Sequence, residues 1–159
     1  MTSFLGTDNH AIDHKGRISI PAAMRRNEAG RPITRFVLNM GFDGCVNLYS
    51  IDEWRRVMQR LRRIPMGDPD GRAFRRAFMT DVKEVSVDAQ GRVPIPPALS
   101  RRASLAREAV VHGGEDHIEI WNPERFQKLL SPVLDVEGQY ERLAAKYLRG
   151  EDGLDGESA

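Results

Sequence analysis

Two arginines stand out by what precedes them. Arg17 follows Asp13-His14-Lys15-Gly16 and Arg92 follows Asp88-Ala89-Gln90-Gly91, so an Asp-x-x-Gly-Arg unit occurs twice. A guanidinium is planar and always charged, and its fork of donors matches guanine O6/N7 or a phosphate. At the tip of a narrow β-ribbon it has the reach to enter the major groove of duplex DNA. The plainer reading of each is a solvated turn arginine, or one paired with the aspartate four residues earlier. A single copy favours the plainer reading, whereas two copies at one turn position favour nucleic-acid contact. Lys15 and His14 would then face phosphate beside Arg17.

The elements that must position these arginines follow from the flanking residues. The repeats run from Ile12 to Pro21 and from Val87 to Pro96. Each reads as two β-favouring runs about a short turn, that is, a hairpin. Asp13 and Asp88 open the turns by accepting backbone bonds, and Gly16 and Gly91 supply positive φ. Ile18 and Ile20, like Val93 and Ile95, alternate onto one face, which sends Arg17 and Arg92 to the other. Pro21 and Pro96 end the strands and suit the start of short helices over residues 22–26 and 97–101. Duplicated units of this size mark an internal structural repeat.

The rest of the chain repeats as well. Phe36–Met40 and Cys45–Tyr49 read as strands about a turn at Gly41–Gly44, matched by Ala109–Val111 and His117–Trp121 about His112–Asp116. Ser50-Ile51-Asp52-Glu53 has the spacing of a capping box and announces a helix to about Arg63. Its apolar face is Trp54, Val57, Met58 and Leu61. A further short helix spans Arg72 to Phe78. In the second half, Asn122 is a good N-cap before Pro123 at a first helical position. Val136, Tyr140, Leu143, Ala144, Tyr147 and Leu148 recur at helical spacing over about four turns. The expected organisation is a first half over 7–54, a helical linker over 55–82 and a second half over 83–126. C-terminal helices follow over 127–149, and the acidic tail 150–159 is expected to be disordered.

Composition narrows the function classes. The chain of 159 residues carries 24 Lys and Arg against 23 Asp and Glu, a net charge of +1, so bulk charge does not announce a nucleic-acid binder. Arginine supplies most of the basic count, and residues 53–79 hold eight arginines against three acids. That excess reads as an oligomer interface or a solvated face before it reads as a DNA contact. One cysteine, Cys45, excludes an intrachain disulfide and a cysteine-based zinc site, and it reads as a core residue. The four histidines, His10, His14, His112 and His117, lack metalloenzyme spacing, and the last two flank a turn where surface histidine is common. No apolar run approaches a membrane span and the N-terminus lacks signal-peptide character, so a cytoplasmic address is the default. No cofactor, metal, small-molecule substrate or enzymatic activity is expected.

The two Asp-x-x-Gly-Arg hairpins, each followed by Pro and a short helix, then a Gly-containing hairpin and a capped helix, resemble the MraZ family. The resemblance runs from about Thr7 to Leu130. It implies an α+β, β-rich fold in which two tandem SpoVT/AbrB-like swapped-hairpin halves form one pseudo-dimeric β-barrel with flanking helices. It also implies a ring-shaped homo-oligomer and a nucleoid-associated transcriptional regulator. Such a regulator binds spaced direct repeats in the promoter of its own gene and of the division and cell-wall gene cluster, with repression the expected direction. The DNA-contacting arginines of the family correspond to Arg17 and Arg92. Gln90 stands where the first motif has Lys15, which leaves the second hairpin less cationic and favours the first half for phosphate contact. The alternative from a different class is an AbrB-like antitoxin or interaction module acting through the C-terminal helix.

Overall fold

Strand β1 (Thr7–Ala11) and strand β2 (Arg17–Ser19) lie on either side of the first turn, and a 3-10 turn over Ala22–Arg25 follows them. Next come β3 (Arg35–Met40), β4 (Val46–Ser50), α1 (Ile51–Leu61) and α2 (Pro69–Met79). The second half repeats the order with β5 (Lys83–Ser86), β6 (Arg92–Pro94), α3 (Pro97–Arg102), β7 (Glu108–Gly113), β8 (Ile118–Trp121) and α4 (Pro123–Leu134). Helix α5 (Gln139–Leu148) comes last. This computed structural model describes residues 3–149, so the expected acidic tail lies outside the described residues. The chain divides into one compact unit ending at Pro123 and another beginning at Glu124.

The local reading of each motif as a simple hairpin is corrected. Ile12, just past β1, makes a single bridge to Ile18 of β2, and β1 and β2 themselves do not pair. β1 pairs antiparallel with β7 of the other half, Thr7 opposite His112 and Ala11 opposite Glu108. β5 pairs in the same way with β3, Arg35 opposite Ser86. β2 and β6 pair with each other, Ile18 opposite Val93. Each half therefore lends its leading strand to the other, as the family resemblance implied. The reason is burial: Ile18, Val93, Ile20 and Ile95 belong to one shared core, and none of them reaches it from an isolated hairpin.

The result is a six-stranded antiparallel sheet, order β1-β7-β8-β4-β3-β5, and the two-stranded β2-β6 ribbon. The turns carry the chain from the two sheet edges, β1 and β5, directly into the ribbon, so the expected barrel is not closed by a continuous ladder and covalent turns join sheet to ribbon. The arrangement is isologous. At the centre of the sheet Asn47 lies opposite Glu119, with Val46 opposite Ile120 and Leu48 opposite Ile118. Between sheet and ribbon sit Phe4, Phe36, Leu38, Leu48, Ile118 and Ile120, all fully buried. Gly113 admits the N-terminal segment to this core, because a Cβ there would lie 2.6 Å from the Phe4 carbonyl.

The helices follow their sequence signals with two adjustments. Ser50 caps α1 by accepting from the Glu53 amide at 3.3 Å, as the capping box predicts, while the Glu53 carboxylate turns to Arg56. Asp68 caps α2 in front of Pro69, so this helix starts earlier than Arg72. Trp54 stacks on Phe78 with centroids 6.1 Å apart and meets Tyr49 of β4, which joins α1, α2 and the outer sheet face. α5 begins at Gln139 and not at Val136, because Gly138 in the left-handed region (φ 78°) interrupts the helix. The stripe of about four turns is thereby shortened to ten residues.

Candidate nucleic-acid interface

The β2–β6 ribbon has two faces. Ile18 and Val93 point inward and are fully buried. Arg17, Ser19, Arg92 and Pro94 alternate with them and point outward, as period 2 requires. The register sets Arg17 opposite Pro94 and Arg92 opposite Ser19, one arginine on each side of the Ile18–Val93 pair. Two residues far apart in sequence thus become near neighbours on one outward surface. One carboxylate oxygen measures how near: Asp13 Oδ2 accepts from Arg17 Nε at 2.8 Å and from Arg92 Nη1 at 3.5 Å.

Both turns are built alike. The Gly16 amide donates to the Asp13 carbonyl at 2.9 Å and the Gly91 amide to the Asp88 carbonyl at 3.0 Å. Gly16 (φ 75°) and Gly91 (φ 78°) then take the left-handed step that lets the chain re-enter an antiparallel pair. Asp13 Oδ1 accepts from the Lys15 and Arg17 amides, each at 2.9 Å, and Asp88 Oδ1 accepts from the Gln90 and Arg92 amides at 2.9 Å. The second carboxylate oxygen takes Nε of the arginine, at 2.8 Å in the first turn and 2.9 Å in the second. The plainer sequence reading, an arginine paired with the aspartate four residues earlier, therefore describes both turns. Its consequence is geometric: each guanidinium is held at Nε by its own turn's aspartate.

The same bonds set the acid chemistry. The Arg17 amide contributes most to holding the Asp13 carboxyl down, to about 2; desolvation opposes it, and the Arg17 guanidinium and Lys15 amide add to it. Asp88 is lowered for the same reasons, led by the Arg92 amide. A folded pKa below the unfolded one means that this ordering is complete above about pH 4 and is lost as pH falls through the folded value. In an NMR titration the Lys15 and Arg17 amides are expected to report a midpoint near 2. A midpoint at the ordinary 3.8 would mean that the turn bonds do not form in solution.

Around the arginines, His14, Lys15 and Gln90 are exposed at the turn tips. Short helices after the ribbon would carry their arginines on solvated faces; Arg25 departs from this, while Arg26 and Arg102 are exposed. Arg25 is half-buried and donates from Nε to the Ile20 carbonyl at 2.8 Å. Arg102 pairs with Asp81 at 3.0 Å. Arg26 is exposed and reaches the Gly30 carbonyl. The sharing of Asp13 by two arginines has no local signal, because Arg92 comes from the other half.

The remaining chemistry-bearing groups lie elsewhere. Cys45 is fully buried and burial pushes its thiol up to about 12, in keeping with a core residue. His117 is not the surface histidine expected of a turn. It stacks near Tyr49 and lies between Asp116 (2.6 Å) and Glu119 (3.0 Å), whose bonds raise its pKa against the opposing effect of burial. His112 meets the Thr7 hydroxyl across the β1–β7 pair at 2.8 Å. Among the described residues no group of three or more His, Cys, Asp or Glu is placed to hold a metal ion, and no helix is long and apolar enough to cross a membrane.

Comparison with known proteins adds an independent finding. The family model described as "MraZ protein, putative antitoxin-like" matches the chain twice, over residues 3–77 and 78–145. A protein of Thermomicrobium roseum named Transcriptional regulator MraZ is 42% identical over 123 residues, covering 77% of this chain and 84% of its own. One of Alkaliphilus oremlandii with the same name is 40% identical over 143 residues, covering 90% and 95%. A third, of Clostridium tetani, is 36% identical over 143 residues. The two matched segments meet between Ala77 and Phe78, within α2.

Proposed function

The chain belongs to the MraZ family, and on that premise we propose that it is a transcriptional regulator that reads duplex DNA with the outward face of its β2–β6 ribbon. The observation that carries the reading is the pair Arg17 and Arg92, set side by side about one carboxylate on a narrow two-stranded ribbon. Asp13 and Asp88 hold the Nε edges and so lower the entropy lost when the Nη ends grip a guanine. Lys15 and His14 flank Arg17 as phosphate contacts, and Gln90 flanks Arg92. The target is spaced direct repeats in the promoter of its own gene and of the division and cell-wall cluster, where bound protein represses.

A net charge of +1 is small for a DNA-binding protein, and repetition offsets it. A ring of identical chains presents many ribbons to spaced repeats, and linked weak contacts gain affinity by effective concentration. Met66, Phe74 and Met79 leave apolar surface exposed on and beside α2, which supports self-association through this arginine-rich region. Native mass spectrometry is expected to show a closed homo-oligomer.

A mobility-shift titration tests the reading, with the gene's own upstream region against a scrambled duplex at two salt concentrations. Specific binding that weakens with salt is expected. Lys15→Ala should weaken binding to every sequence alike and lower the slope of log K against log salt by about one. No preference for the upstream region at either salt, from folded oligomeric protein, sinks the proposal. In that event the antitoxin-like description favours the second reading, a partner-masking module using α5, where Tyr140, Tyr147 and Leu148 are exposed. Deleting residues 131–159 would then abolish activity.

A further inference from the structure

The two turns are equal in sequence type but not in surroundings. After the first ribbon strand the chain runs Pro21-Ala22-Ala23-Met24-Arg25, and after the second it runs Pro96-Pro97-Ala98-Leu99-Ser100. Arg25 therefore has Ser100 as its counterpart. The halves are crossed, so Arg25 does not lie over its own turn. Its Nε donates to the Ile20 carbonyl at 2.8 Å, and the Ile20 amide donates to the Gly91 carbonyl at 2.9 Å. The guanidinium is thereby laid over Gly91: a Cβ there would stand 2.6 Å from Cζ, 2.8 Å from Nε and 3.0 Å from Nη1 of Arg25. Gly91 is buried beneath it.

At the first turn the backbone bond is kept, Ile95 amide to Gly16 carbonyl at 2.9 Å, but the cover is missing. The nearest atom to a Cβ at Gly16 is the Ile95 carbonyl oxygen, 3.7 Å away. In place of a guanidinium there is an open cleft of about 560 Å³ whose lining includes Lys15, Gly16, Pro94, Lys83 and Ser100.

We infer that Arg25 is a positioning residue for the second turn, clamping Gly91 so that Arg92 is presented rigidly while Arg17 rides on a turn free to adapt. Resting on the DNA-reading proposal, this makes the two arginines unequal readers: Arg92 tolerates little variation in its base, and Arg17 adjusts to its own. A planar group tied at Nε does the clamping, so charge alone does not replace it.

The test uses the full chain with Arg25→Ala and Arg25→Lys, read in two ways. Native-state hydrogen exchange without DNA compares the Gln90, Gly91 and Arg92 amides with the Lys15, Gly16 and Arg17 amides, which have equivalent bonds and serve as the control for folding. Wild type is expected to protect the second set more than the first. Both variants should lose roughly tenfold protection in the second set alone, the size of one hydrogen bond to a charged group. Equal protection of the two turns in wild type, or loss spread over both turns in the variants, overturns the inference. The second readout is the ratio of binding to the upstream duplex and the scrambled duplex. Arg25→Ala should lower it in the presence of Arg92 and add nothing to Arg92→Ala, the non-additivity expected of a residue that acts through another. Full additivity would make Arg25 an independent contact and overturn positioning. Absence of any duplex preference in wild type would defeat the DNA reading, and the exchange result would still decide the clamp.

Discussion

The Arg17→Ala/Arg92→Ala double variant is expected to bind the upstream duplex no better than a scrambled one. Each bidentate contact to a guanine is worth about 1–3 kcal/mol of discrimination. Two per chain put the loss between about 30-fold and 10⁴-fold. The fold should survive, because both arginine side chains lie on the outward face and are about a quarter exposed (27% and 26%). The Asp13 and Asp88 bonds to the turn amides do not involve the guanidinium groups. A thermal melt close to that of wild type is the control. Arg17→Lys sharpens the result: it keeps charge and hence scrambled-duplex binding but loses the fork and hence preference. A double variant that discriminates as wild type does would remove the ribbon arginines from the site.

The second large effect concerns the fold that carries them. A chain of residues 3–81 is expected to have no folded monomer. It would keep the β3–β4 pair but lose β7 and β6, the partners of β1 and β2, and β8 and β5, which flank that pair. Ile18, Met24, Phe36, Leu38 and Leu48, buried to within 2% exposure, would face water. Each costs about 1.5–3 kcal/mol on exposure, and a whole domain is stable by only about 5–15 kcal/mol. The half-chain should therefore be unfolded, or fold only as a homodimer in which a second copy supplies the missing strands. Its melting temperature would then rise with concentration. Size-exclusion chromatography with circular dichroism separates these outcomes, and a folded monomer would refute the swapped arrangement.

What could be read from the chain, and what could not, divides along sequence distance. Gly16 and Gly91 at positive φ, Ser50 as a cap and Pro123 at a helix start are local interactions, and all are where the residues put them. The outward direction of Arg17 and Arg92 follows from strand alternation. The partner of β1 is another matter. Periodicity specifies which face of a strand is buried and carries nothing about which strand lies beside it, so the residues alone read as two hairpins. Only the family resemblance implied the crossing. The contact of Arg92 with Asp13 and that of Arg25 with Gly91 inherit the same blindness, since each joins one half to the other. His117 departs from a surface turn histidine because Asp116 and Glu119 enclose it together with Tyr49 of β4, and that tyrosine comes from the other half.

The pairing of β1 with β7 also has a meaning during synthesis. Thr7 and His112, joined at one end of that pair, are 105 residues apart. At about 5–20 residues per second the ribosome leaves the first strand waiting roughly 5–20 s before its partner emerges. An apolar strand held that long without a partner would invite pairing between nascent chains. Thr7-Asp8-Asn9-His10-Ala11 is short and almost wholly polar, and four of its five residues stay exposed even in the finished sheet. Its apolar neighbours Phe4 and Ile12 lie outside the strand, so the strand that must wait longest offers little apolar surface for such pairing.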